Sequence, residues 1–242
     1  MAYKGTHYSG WQRQPNGRSV QQVVEEAMSM MLRVQVRLTG AGRTDAGVHS
    51  SEYFAHFDAA SPLPPRRLEN LIFKLNSYLD PDIALYRIFP VKPDSHARFS
   101  ALSRTYQYFL SPEKDPFRDG LTLPMHGSLD VELMNQGARL IIQTRDFTSF
   151  SKVDTDTKTN ICKVEYAVWE WEGKELLFTI RADRFLRNMV RAIVGTLLKM
   201  GKGKLSLDEL QWIIGSLDRS NAGMSVPACG LHLVKIDYPE DL

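Results

Sequence analysis

The order in which helical and strand-like periodicities alternate along the chain is the feature that most constrains its fold. Apolar residues recur at spacings of three and four where a buried helix face is expected, and at every second position where a half-buried strand is expected. The first part of the chain gives a short N-terminal strand, a helix at 19–32, strands at 34–38 and 53–57, a helix at 66–79 and a strand at 83–89. This succession is typical of a ferredoxin-like α+β unit.

The rest of the chain repeats this succession with insertions. It gives a strand at 99–110, a helix at 130–144, a hairpin of 163–172 and 175–182, helices at 185–201 and 206–217, and a strand at 231–238. Between the two parts, the stretch PVKPDSHA is rich in proline and polar residues, as linkers are. We therefore predict an α+β fold of two ferredoxin-like (RRM-like) halves, 1–94 and 95–242, whose antiparallel sheets form a saddle with a central cleft.

The loop GAGRTDAGVH, residues 40–49, places one carboxylate, Asp45, among small and flexible residues. Three glycines in it permit backbone angles and close approaches that side chains would forbid. They are Gly40, Gly42 and Gly47. A tight connection without chemistry is the simpler interpretation of such a loop. Near it, Trp11 is predicted to anchor the core, and His49 is predicted to be a hydrogen-bonding residue rather than a base.

Aromatic and basic side chains alternate on the predicted strand at 99–110. Three of them fall on one face of that strand: Arg104, Tyr106 and Tyr108. Aromatic residues on a strand usually pack in a core. Interleaved with arginine, they also form a surface on which nucleic-acid bases stack.

A basic cluster follows in the second half. The chain has a formal net charge of +2, yet the segment from Arg181 to Lys204 contains seven basic residues and a single acid, Asp183. Three arginines of this segment are predicted to share one helix face: Arg184, Arg187 and Arg191. A solvated helix face is the commoner cause of such a charge run. A concentrated patch on a nearly neutral chain, however, fits a polyanionic partner.

The composition argues against several other classes of protein. No apolar run is long enough for a transmembrane helix, and the first residues lack the basic and apolar regions of a signal peptide. The two cysteines, Cys162 and Cys229, have no neighbouring CxxC or histidine cluster, so they are interpreted as small core residues rather than metal ligands or a disulfide. We expect a cytoplasmic protein with no membrane association, no metal and no organic cofactor.

Five blocks of the sequence resemble the TruA family of tRNA pseudouridine synthases, in the family's order and over nearly the whole chain. They are YSGWQRQ, GAGRTDAGVH, HARFSA with RTYQYF, DFTSF and FLRNMVRAIVG. The resemblance implies an isomerase that converts uridine to pseudouridine at nucleotides 38–40 in the anticodon stem-loop of tRNAs, with the RNA bound in the central cleft. It also implies a homodimer with the tRNA lying across both subunits. Family members usually have several more residues before the stretch that matches AYKGTHYSGWQRQ, and those residues complete the first strand. Because Met1 falls inside that strand here, either the first strand is short or the true start lies upstream.

The resemblance also assigns roles to individual residues. Asp45 matches the catalytic nucleophile, which a carboxylate suits because it is ionised at neutral pH and can form and release an ester-like adduct. Attack on the sugar and attack on the base both remain open. Arg191 matches an arginine that pairs with this carboxylate, Tyr106 matches the tyrosine that stacks on the target base, and Arg43 matches an arginine that fills the space left by the flipped uridine. The other predicted substrate-binding residues are Arg104, Arg184, Arg187 and Phe150.

Two other classes of function compete with this one. A catalytically silent RNA-binding protein of two RRM-like halves would keep the basic helix and the aromatic strand, but it would not need Asp45 together with Arg191. An aspartate-dependent phosphohydrolase would need a metal ion and further acidic ligands near Asp45, and the loop sequence offers none.

Overall fold

The computed structural model describes residues 1–59, 61, 63–152 and 157–240. Five α-helices and a mostly antiparallel sheet in this part of the chain confirm the predicted α+β class. The chain divides into two compact units, Met1–Leu102 with Leu233–Leu242, and Ser103–His232. The predicted division into halves at 1–94 and 95–242 stays a prediction.

The first unit contains two helices and a set of very short strands. The helices are α1 (Val20–Leu32) and α2 (Pro65–Tyr78), and the strands are β1 (Ala2–Tyr3), β2 (Thr39–Gly40), β3 (His49–Ser50), β4 (Ala55–His56) and β5 (Ile83–Ala84). Antiparallel pairing joins β1 to both β3 and β5, whereas β2 pairs with β4 in a separate two-stranded ribbon. The loop that carries Asp45 connects the ribbon to the larger sheet.

Local sequence signals account for both helices of this unit. The Ser19 hydroxyl accepts the Gln22 N–H at 3.3 Å and caps the start of α1, in agreement with the helix predicted at 19–32. Helix α2 begins at Pro65, where a missing N–H has no cost because the first turn of a helix has no partner for it. The apolar faces of both helices are buried, as Val24 of α1 and Leu75 of α2 illustrate.

The predicted strand at 34–38 is wrong, because regular strand pairing begins only at β2. Side chains of α1 bind the backbone of this segment instead. The Ser29 hydroxyl accepts the Val36 N–H at 2.8 Å, and the Glu25 carboxylate accepts the Leu38 N–H at 2.8 Å. Val36 and Leu38 are buried as expected, whereas Val34 is exposed. The backbone N–H groups of Val36 and Leu38 are satisfied by a helix rather than by a neighbouring strand.

The second unit contains longer strands and three helices. In chain order they are β6 (Ser103–Ser111), β7 (Leu123–Pro124), α3 (Val131–Gln143), β8 (Val164–Glu172), β9 (Glu175–Ala182), α4 (Met189–Gly201) and α5 (Leu207–Ser216). Strand β9 pairs antiparallel with both β6 and β8, and β7 pairs parallel with β6. The last strand, β10 (Leu231–Asp237), starts in this unit and belongs to the first unit from Leu233 onward.

Several predicted features of the second unit are confirmed. Helices α3 and α5 form where they are predicted: the Asp130 carboxylate accepts the Leu133 N–H at 2.9 Å and caps α3, and Ser206 with Glu209 forms a capping box at the start of α5. The hairpin of β8 and β9 turns at Gly173, whose φ of 59° favours glycine. No helix in the described ranges is long and apolar enough to cross a membrane.

The helix predicted at 185–201 is confirmed only from Met189 onward. Asn188, immediately before it, has a φ of 65° in the left-handed region, through which a right-handed helix does not continue. The buried face of α4 is nevertheless the one that the periodicity indicates, and it includes Val190, Ile193 and Val194.

Candidate active site

Asp45 begins a tight turn between β2 and β3. The Val48 N–H donates to the Asp45 carbonyl at 3.2 Å, and Gly47, with a φ of 80°, supplies the left-handed residue that such a turn requires. The Gly47 N–H also donates to the Tyr8 carbonyl at 3.2 Å, which fastens the turn to the N-terminal segment. Asp45 itself is half-buried, so its position is constrained while part of the residue reaches solvent.

The residue before Asp45 is held through its side chain. Thr44 is buried, and its Oγ1 accepts the Trp11 N–H at 3.1 Å and lies 2.9 Å from the Tyr3 hydroxyl. One hydroxyl therefore joins the loop to both the backbone of the N-terminal segment and a side chain of β1. These hydrogen bonds restrict the backbone that carries the Asp45 carboxylate.

Three aromatic rings pack together beside this loop. The ring centroids of Trp11 and Tyr53 are 4.1 Å apart, and those of Tyr3 and Tyr53 are 5.6 Å apart. Trp11 is 2% exposed, which confirms its predicted role as a core anchor. Tyr53 is 1% exposed, and its hydroxyl donates to the Gly42 carbonyl and accepts the Gly42 N–H. Sequence reasoning placed Tyr53 on an alternating strand and missed this contact with the loop.

The N-terminal segment also approaches the loop through backbone contacts. Gly10 has a φ of 85°, and a Cβ there would overlap the Thr44 carbonyl oxygen. His49 is buried, and its Nδ1 accepts the Gly5 N–H at 3.1 Å. This contact confirms that His49 is a hydrogen-bonding residue.

Tyr106 and Arg104 lie on the same face of β6 in the second unit, as the alternation predicts. Tyr106 is half-buried, and its ring meets that of Phe185 edge to face at 5.1 Å between centroids. Arg104 donates from Nη1 to the Asp183 carbonyl at 2.9 Å. Both side chains are thus placed by the segment that follows β9.

Tyr108, the third residue of that face, differs from the other two. It is fully buried, and its hydroxyl donates to the Pro227 carbonyl at 2.9 Å. Burial raises the pKa of this phenol above its usual value, with the nearby Arg191 charge acting in the opposite direction. Tyr108 is therefore a neutral core residue, whereas Tyr106 keeps part of its surface exposed.

Arg191 lies in the first turn of α4, and two hydrogen bonds join it to Val226. Its Nε donates to the Val226 carbonyl at 2.7 Å, and the Val226 N–H donates to the Arg191 carbonyl at 3.2 Å. The loop before Val226 packs directly on the helix, because a Cβ at Gly195 would overlap the Met224 carbonyl oxygen. The Arg191 Nε–H thus donates to a segment whose backbone packs closely on α4.

The predicted common helix face of the three arginines is wrong. Only Arg191 lies in α4, whereas Arg184 and Arg187 precede the helix. The Arg184 N–H donates to the Asp183 carboxylate at 2.7 Å, and the Lys152 N–H donates to the Arg187 carbonyl at 3.1 Å. These partners keep the segment out of the helix, so the positive charges spread over a turn and a helix start.

Phe150 has no exposed surface and packs 6.3 Å from Phe147 between ring centroids. A direct contact between Phe150 and RNA would require this packing to open. Arg43, by contrast, is exposed in the loop directly before Thr44 and Asp45.

The predicted site residues are distributed over both units. Arg43 and Asp45 belong to the first unit, and the others belong to the second: Arg104, Tyr106, Phe150, Arg184, Arg187 and Arg191. Among the described residues, no group of three or more histidine, cysteine, aspartate or glutamate side chains is arranged to hold a metal ion. Cys162 is buried, as expected of a core residue, and burial raises the pKa of its thiol to about 12.

Comparison with known proteins gives consistent matches along the chain. A family model described as tRNA pseudouridine synthase matches residues 1–100 and 138–239. The tRNA pseudouridine synthase A of Parabacteroides distasonis is 51% identical over 242 residues, covering 100% of this chain and 95% of the relative. The proteins of the same name from Porphyromonas gingivalis and Bacteroides thetaiotaomicron are 53% and 52% identical, covering 100% of this chain and 96% and 90% of their own lengths.

These matches define the class of protein as an RNA-modifying isomerase. The chain belongs to the tRNA pseudouridine synthase family, which confirms the resemblance to the TruA proteins.

Proposed function

We propose that this protein isomerises uridine to pseudouridine at nucleotides 38–40 in the anticodon stem-loop of tRNA, with Asp45 as the nucleophile and the target base flipped out of the helix. The observation that carries the proposal is the support of Asp45: a half-buried carboxylate on a tight turn, next to a threonine whose hydroxyl has two partners. A nucleophile must be held in place but remain reachable by its substrate, and this turn meets both conditions.

The roles of the other residues complete the proposal. Arg191 would hold the Asp45 carboxylate ionised, since a neighbouring cation favours the charged form of an acid. Tyr106 would stack on the flipped base, which the exposed part of its ring permits, and Arg43 would occupy the space that the base leaves. Arg104, Arg184 and Arg187 would bind RNA phosphates. Because Phe150 is fully buried, we propose that it supports the wall of the substrate site from behind.

The finer architecture belongs to the same proposal. Two ferredoxin-like (RRM-like) halves would form a saddle with a central RNA-binding cleft, and two chains would form a homodimer across which the tRNA lies in the cytoplasm. Support comes from the family relationship and from the division of the chain into two compact units. The chemistry would need no metal or organic cofactor, since a carboxylate nucleophile and a flipped base are sufficient for glycosidic bond exchange.

Tritium release tests the proposal directly. Unmodified tRNA that carries tritium at C5 of uridine loses the label when the base is rejoined through that carbon. We expect the wild type to release tritium and Asp45→Asn to be slower by about 10⁴-fold or more, because loss of a nucleophile removes the main route of the reaction. The wild type and Asp45→Asn should bind tRNA with similar affinity.

Equal release by Asp45→Asn and the wild type would remove Asp45 as the nucleophile. Binding without release by either protein, on a tRNA that a relative modifies, would favour the catalytically silent RNA-binding protein instead.

A further inference from the structure

We infer that Tyr53 is a positioning residue for the reaction: its hydroxyl fixes the backbone of the loop that carries Arg43 and Asp45. This inference rests on the proposed role of Asp45. Tyr53 does not itself reach solvent, being 1% exposed, so a direct contact with RNA is not part of the inference.

The hydroxyl of Tyr53 binds both backbone groups of a single residue. It donates to the Gly42 carbonyl and accepts the Gly42 N–H at 3.3 Å. Packing of the ring against Trp11 would need no hydroxyl at all, and phenylalanine would fill the same space. The hydroxyl of Tyr53 therefore binds the loop, whereas its ring packs in the core.

The glycine at position 40 is what allows this approach. A Cβ at Gly40 would overlap both the Tyr53 hydroxyl and the indole nitrogen of Trp11. The Ala41 N–H, next along the chain, donates to the Phe54 carbonyl at 2.9 Å, so the ribbon of β2 and β4 also brings the two segments together. The absence of a side chain at Gly40 thus leaves the space that the Tyr53 hydroxyl needs.

A second hydroxyl holds the other side of Arg43. Thr44 is joined to Tyr3 at 2.9 Å and to the Trp11 N–H at 3.1 Å. Gly42 and Thr44 are the two neighbours of Arg43, and Thr44 is also the residue before Asp45. The aromatic cluster of Tyr3, Trp11 and Tyr53 consequently fixes the chain on both sides of the exposed arginine and up to the carboxylate.

Tyr53→Phe is the informative substitution, because it keeps the aromatic ring and removes only the hydroxyl. We expect its single-turnover rate of tritium release to fall by ~10-fold, the scale of one hydrogen bond, while the Kd for tRNA changes by less than about two-fold. The matched control is Tyr238→Phe, which also loses a hydroxyl that donates to a backbone carbonyl in the first unit, that of Ala97. We expect the control to keep the wild-type rate.

The threonine provides an independent pair of variants if Tyr53→Phe melts below the assay temperature. Thr44→Val removes the hydroxyl at nearly constant volume, and Thr44→Ser keeps it. We expect Thr44→Val to lose rate by ~10-fold and Thr44→Ser to recover most of it. A purely structural role would instead lower the melting temperature, tRNA affinity and rate together in all variants.

Each outcome decides one of the two claims. The inference is overturned if Tyr53→Phe keeps the wild-type rate, or if it loses rate and tRNA affinity in equal proportion. In either case an inactive Asp45→Asn leaves the proposed function standing. An active Asp45→Asn overturns the proposed function instead, and a slow Tyr53→Phe would then report only on loop stability.

Discussion

The Asp45 loop and the start of α4 are held in different ways. Around Asp45, side-chain hydroxyls bind the backbone, through Tyr53 to Gly42 and through Thr44 to its own neighbours. Around Arg191, backbone also meets backbone at close range: the Val226 N–H donates to the Arg191 carbonyl, and a Cβ at Gly195 would overlap the Met224 carbonyl oxygen.

The difference teaches how each region tolerates change. Where a hydroxyl holds the loop, one hydrogen bond can be lost while the fold is kept, so substitutions that remove a hydroxyl should act mainly on the rate of reaction. Close backbone packing, at Gly10 against the loop and at Gly195 in α4, leaves no room for an added atom, so substitutions at these glycines should act on stability as well.

The largest effect, on the free energy of unfolding, is expected from substitutions at two glycines where backbone segments pack closely. Gly10→Ala places a Cβ on the Thr44 carbonyl at a positive φ, and Gly195→Ala places one on the Met224 carbonyl. We expect each change to lower the free energy of unfolding by about 2–4 kcal/mol, measured by urea denaturation. Gly42→Ala is the matched control, because no atom lies within 4 Å of its Cβ, and it should change the unfolding free energy by less than about 0.5 kcal/mol.

If Gly10→Ala is as stable as Gly42→Ala, the N-terminal segment does not pack on the loop as described. Loss of stability in Gly195→Ala alone would sharpen the contrast between the two regions, since only α4 would then depend on close backbone packing.

A smaller effect is expected from Arg191→Lys. Lysine keeps the positive charge but lacks the Nε–H that reaches the Val226 carbonyl, so the charge is no longer held in a fixed direction. We expect the single-turnover rate to fall by about 100-fold, with little change in the Kd for tRNA. The control is Arg139→Lys, on the exposed surface of α3 where Arg139 pairs with Glu132. A near-wild-type rate in Arg191→Lys would show that charge alone is sufficient.

The smallest effect is expected from Arg187→Glu, in the turn before α4. If this side chain meets a phosphate, charge reversal should weaken tRNA binding and reduce the slope of log Kd against log salt concentration by about 1. Filter binding at several salt concentrations measures the slope, with Arg139→Glu as the control. An unchanged slope would place Arg187 away from the RNA and leave Arg191 as the functional arginine of this segment.

Local chemistry made part of the fold predictable. Ser19 and Ser206 start helices because their hydroxyls accept backbone N–H groups a few residues ahead, a signal contained within one turn of chain. The segment at 34–38 could not be predicted in this way, because the groups that satisfy its backbone belong to α1. The prediction that Arg184 and Arg187 lie in the helix was wrong for a similar reason. Asn188 adopts a left-handed conformation, which the spacing of residues does not reveal.

The same division applies to the candidate site. The motif around Asp45 and the four other blocks are contiguous stretches of sequence. They were enough to indicate the family, the Asp45 carboxylate and the aromatic strand. The contacts of Tyr53 with Gly42 and of Arg191 with Val226 join residues that are distant in sequence, so only folding brings them together. Sequence thus specified which groups are present, and long-range packing specified how they are held, because the direction of a side chain depends on neighbours that the chain order does not contain.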